Sequence, residues 1–178
     1  MSTLRSKAIQ IITDFFQVTG PFSEPGPEGA AASSYPRTLA RFAFGAEEEL
    51  QSEIAGVLLD YAMDGSHPFS QGSAYLCSEL ALRGLAKAFT PHVSKIMEFF
   101  ESRGTMGWWM TDASFEEAAP EANNAIPLIN VLWCCDEHAA RGLTDMLLHQ
   151  TASQKLRASL MRSKLLPQAL RSMADPKP

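Results

Sequence analysis

Hydrophobic positions in this 178-residue chain recur every three to four residues, and no window alternates with the period of two that a half-buried strand requires. Leu4, Ala8, Ile11, Ile12, Phe15 and Phe16 form the first stripe, which predicts a helix over residues 3–19 ended by Gly20-Pro21. Leu50, Ile54, Val57, Leu58 and Tyr61 form a second, while Glu47, Glu48, Glu49, Glu53 and Asp60 occupy its other sides, as in a solvated acidic helix packed by one face. Asp64-Gly65-Ser66-His67-Pro68 is a turn sequence. Ser73 is then placed to cap a helix buried through Leu76, Cys77, Leu80, Gly84 and Ala88, whose small residues permit close packing. Thr90-Pro91 reads as a cap followed by a first-turn proline, with Val93, Ile96, Met97 and Phe100 as the apolar stripe up to Gly104. Ser114 and Glu117 match a capping box, Pro120 ends that short helix, and residues 126–135 form a strongly apolar one. Residues 142–150 and 153–173 continue the series with a break at Pro167. The expected fold is all-α, a compact multi-helix domain over residues 1–178.

One stretch stands apart from this periodicity. Residues 21–36 hold Pro21, Pro25, Pro27 and Pro36 with Gly26, Gly29 and Ser33-Ser34, the composition of a loop or linker. A short helix over Arg37 to Phe44 follows, punctuated by Gly45. Hydrophobic residues at 46 % and charged residues at 20 % lie in the globular range. A chain of this length buries roughly 70 % of its unfolded surface, enough for its own core. At the N-terminus Gln10, Thr13 and Asp14 interrupt the apolar run, so no secretion signal is expected. Nor does any stretch approach the roughly 18 apolar residues of a membrane span. Cys77, Cys134 and Cys135 cannot all pair within one chain, and reduced thiols imply a cytoplasmic setting.

Charge is unevenly divided. Residues 1–150 carry nine Lys and Arg against nineteen Asp and Glu, a net of −10, whereas residues 151–178 carry six against one, a net of +5. An acidic body repels nucleic-acid phosphates and favours a basic partner. The basic end can meet an acidic groove, a membrane surface or the chain's own body.

The segments TPHVSKIMEFFE, IPLINVLWCCDE and LPQALRSMAD each begin near a proline and continue with apolar residues at helical spacing. Pro91, Pro127 and Pro167 are 36 and 40 residues apart. The pattern resembles the second helix of HEAT or armadillo repeats, whose period is near 40. That resemblance, over the C-terminal half, implies a short α-solenoid that binds protein on a concave surface. A plain helical bundle is the other architecture open to this sequence.

Candidate chemistry is sparse. Cys134-Cys135-Asp136-Glu137-His138 gathers thiols, carboxylates and an imidazole, but on one helix only Cys134 and His138, four apart, could meet as nucleophile and base. An apolar setting would keep such a thiol inert. His67, His92, His138 and His149 are scattered without metal-ligand spacing, so no metal and no cofactor are expected. Glu47, Glu48, Glu49, Glu116 and Glu117 read as solvated faces rather than acid and base pairs. Gly65, Gly72 and Ser73 lack the lysine and spacing of a phosphate loop.

Met106-Gly107-Trp108-Trp109-Met110 concentrates two of three tryptophans and two of eight methionines. Such residues anchor a loop to a core or a partner to a surface, and neighbours point to different sides, so one tryptophan can be buried while the other is exposed. Taken together, the sequence predicts a non-enzymatic protein-binding module of the inhibitor, immunity or adaptor kind. Its partner is a basic protein, met by Met106, Trp108, Trp109, Met110, Glu47, Glu48, Glu49, Glu53, Asp60, Glu116 and Glu117. A small Cys/His enzyme, and a binder of membranes or helix grooves through residues 153–173, are the alternatives.

Overall fold

A computed structural model of the chain describes residues 3–19, 39, 42–101, 109–117 and 119–175. Helices are α1 (Thr3–Thr19), α2 (Glu48–Met63), α3 (Ser70–Leu80), α4 (Ala86–Phe89), α5 (Val93–Glu101), α6 (Asp112–Glu117), α7 (Ala119–Cys135), α8 (Glu137–Gln150), α9 (Gln154–Arg162) and α10 (Gln168–Ala174). No strand occurs among the described residues, and the domain is all-α as the periodicity predicts. The loop expected at 21–36 lies outside the described residues; of the expected 37–44 helix, residues 42–44 form a helical turn.

The hub is α7, which packs on α2, α3, α4, α5, α6 and α8. Its Leu128, Ile129, Val131 and Leu132 are fully buried, because a helix touched on every side can be apolar all round. Two asparagines interrupt that apolar surface and fix its register. Asn124 Nδ2 donates to the Ala62 carbonyl at 2.9 Å and to Ser70 Oγ at 2.8 Å, and Asn130 Nδ2 donates to Ser78 Oγ at 2.7 Å. Any slip of α7 along α3 would strand these buried dipoles, each at a cost of about 1–3 kcal/mol.

Several local expectations shift. The capped start at Ser73 is corrected: α3 begins at Ser70 and encloses Ser73, whose hydroxyl is buried. Thr90 does not cap α5, because its Oγ1 donates back to the Ala86 carbonyl at 3.3 Å and Thr90–His92 is a 3₁₀ turn. The box at Ser114 stands one turn earlier, with Thr111 Oγ1 accepting from Ser114 N at 3.1 Å and Ser114 Oγ from Thr111 N at 3.0 Å. Pro120 opens α7 instead of ending a helix, and Pro127 lies inside α7 instead of at a start. Pro167 does stand at the start of α10, in the N-cap position. Gly84 does not line a helix interface; at φ +104° it is an exposed left-handed residue in the widened turn Ala81–Leu85, where α3 breaks and the chain restarts as α4.

Candidate protein-binding surface

The aromatic half of the expected surface turns inward. Trp109 is 1 % exposed, against Phe100, with Nε1 donating to Gln150 Oε1 at 3.0 Å. Its carbonyl accepts from the Thr151 hydroxyl, and the Met110 carbonyl accepts from Ala152 N at 2.8 Å. Asp112 extends this staple. Backbone Lys155 N at 3.0 Å and the Ser153 hydroxyl at 2.7 Å both donate to its Oδ1 and hold its pKa below the usual carboxylate value. Trp109 therefore cannot be a partner-facing anchor. It is the plug that ties the start of α6 to the connection between α8 and α9, and Met110 is half-buried against the same core. Met106 and Trp108 lie outside the described residues.

The acidic residues do not form one surface. Asp60 binds Arg5 Nη2 at 2.5 Å and Lys95 Nζ at 2.7 Å, a clasp that joins α1, α2 and α5. Burial on its own would raise its pKa, but the hydrogen bonds and charges of Lys95 and Arg5 outweigh that and hold it below the ordinary value. Both of its carboxylate oxygens are thus engaged inside the fold, while its side chain stays 32 % exposed. Glu53 is half-buried. Glu116 and Glu117 are exposed on α6, where Glu116 pairs with Lys155. Glu47, Glu48 and Glu49 cluster at the other end of α2 from Asp60, about 20 Å away along a helix rising about 1.5 Å per residue. All three are exposed. Glu48 pairs with Lys87 at 3.0 Å, while Glu47 and Glu49 have no ion pair among the described residues.

Beside that cluster stands an apolar feature that the periodicity does not reveal. Phe42 is 50 % exposed and Phe44 52 %, on either side of the buried Ala43, and Leu82 at the α3 break is 54 % exposed. Phe44 Cζ would stand 3.5 Å from a β-carbon on Gly84, so its ring leans over the break. The one legible signal is the run Phe42-Ala43-Phe44, apolar on more sides than a single turn can bury. A cleft lined by Ala43, Gln51, Ile54, Leu85 and Phe89 lies close by, with roughly 10 Å³ of space, about one water.

The single helix assumed for the catalytic alternative is two. α7 ends at Cys135, Asp136 caps α8 by accepting from Ala139 N, and so Cys134 and His138 stand on different helices. Burial raises the pKa of Cys134, and of Cys135 to about 11 despite a hydrogen bond with Thr90. Ser52 and His92 also meet, but Nε2 lies 2.9 Å from the Ser52 carbonyl, an acceptor only, as well as 3.2 Å from the hydroxyl. Nε2 must then carry hydrogen and cannot take the serine proton. Among the described residues no three His, Cys, Asp or Glu side chains converge as a metal site requires. None of their helices is long and apolar enough to cross a membrane. Leu156 and Leu160 of the basic end are buried in the core, while Met161 beside them is 37 % exposed. No family model, curated protein or solved structure matches this chain.

Proposed function

We propose that this is a non-enzymatic, cytoplasmic protein-binding module, of the inhibitor or adaptor kind, which presents an acidic surface to a basic protein. The observation that supports it is the exposed pair Glu47 and Glu49, without ion pairs among the described residues, beside half-exposed Phe42 and Phe44. Unpaired charge steers a partner of opposite sign, and aromatic area supplies affinity at short range. A HEAT-type repeat would carry the same implication.

The test is capture from the native host's lysate with the wild-type protein and a Glu47→Lys/Glu49→Lys variant of unchanged melting temperature. The expected result is one stoichiometric basic protein, lost from the variant and released by salt. An acidic partner, a nucleic acid, or capture indifferent to both charge reversal and salt would overturn the proposal.

A further inference from the structure

We draw no further inference here: the strongest candidate, the half-exposed apolar turn at Phe42 and Phe44 just before α2, is an unpartnered surface, and nothing in the structure shows what covers it.

Discussion

A β-carbon on Gly56 would stand 2.9 Å from Cε1 of His92, so α2 passes beneath that imidazole only because residue 56 has no side chain. The ring is held there by Nε2, which meets both the carbonyl and the hydroxyl of Ser52 one turn earlier. Two opposed effects follow from Gly56→Ala. Alanine in a helix interior gains about 1 kcal/mol over glycine, whereas crowding a packed site costs about 1–3 kcal/mol. With His92 in place the clash should win, and the variant should lose up to about 2 kcal/mol in urea denaturation. In a His92→Ala background the obstruction is gone, and the same substitution should stabilise by up to about 1 kcal/mol. The reversal of sign between the two backgrounds is the check.

Asp60 should make stability depend on pH in one direction. Its pKa is lowered in the folded chain, so the stabilisation is fully present above the ordinary value of 3.8 and disappears as pH falls through the folded value beneath it. Asp60→Asn removes the charge that Arg5 and Lys95 share. It should cost about 1–2 kcal/mol at neutral pH, the scale of a partly buried charged hydrogen bond. The gap between the two proteins should hold steady down to about pH 4 and close below 3.8. A gap unchanged at lower pH would mean that shape, not charge, holds the three helices there.

Trp109 should matter to folding far more than to any partner. Truncating a buried tryptophan typically costs about 3–5 kcal/mol, so Trp109→Ala should shift the urea midpoint sharply without changing the slope. Gln150 is exposed, and water can replace its acceptor, so Gln150→Ala should cost well under the roughly 1 kcal/mol of a typical hydrogen bond. Equal costs for the two would show that the indole N–H, not the ring's burial, secures the segment.

Legibility in the sequence follows how local the deciding physics is. α1 occupies residues 3–19 as the apolar spacing predicts, and Asp64 closes the predicted turn by accepting from both Ser66 N and Ser66 Oγ, because both features are set within a few residues. Hydroxyl residues mislead for a local reason too: Thr90 can cap forward or bond back to the Ala86 carbonyl, and it does the second. Pro127 is different. A mid-helix proline is unfavourable alone, and only the burial of α7 on all sides outweighs it, which no short window reveals. The site residues divide the same way. Glu47, Glu48 and Glu49 are exposed as expected, whereas the fates of Asp60, Trp109 and Phe44 depend on Arg5, Lys95, Thr151 and Gly84, all remote in sequence.

The cysteines should be slow to react. Cys77 is fully buried with its thiol pKa pushed far up, Cys135 sits at about 11 and donates to the Ala86 carbonyl at 3.3 Å, and burial also raises Cys134. Since the thiolate is the nucleophile, a raised pKa lowers its population at neutral pH, and packing restricts access to the sulfur as well. Iodoacetamide at neutral pH should therefore label the folded chain more slowly than free cysteine, with Cys77 the slowest. Unfolding in urea should bring all three to the free rate. Cys134 or Cys135 reacting in the folded protein as fast as free cysteine would place a thiolate where the packing allows none, and would reopen the case for thiol catalysis.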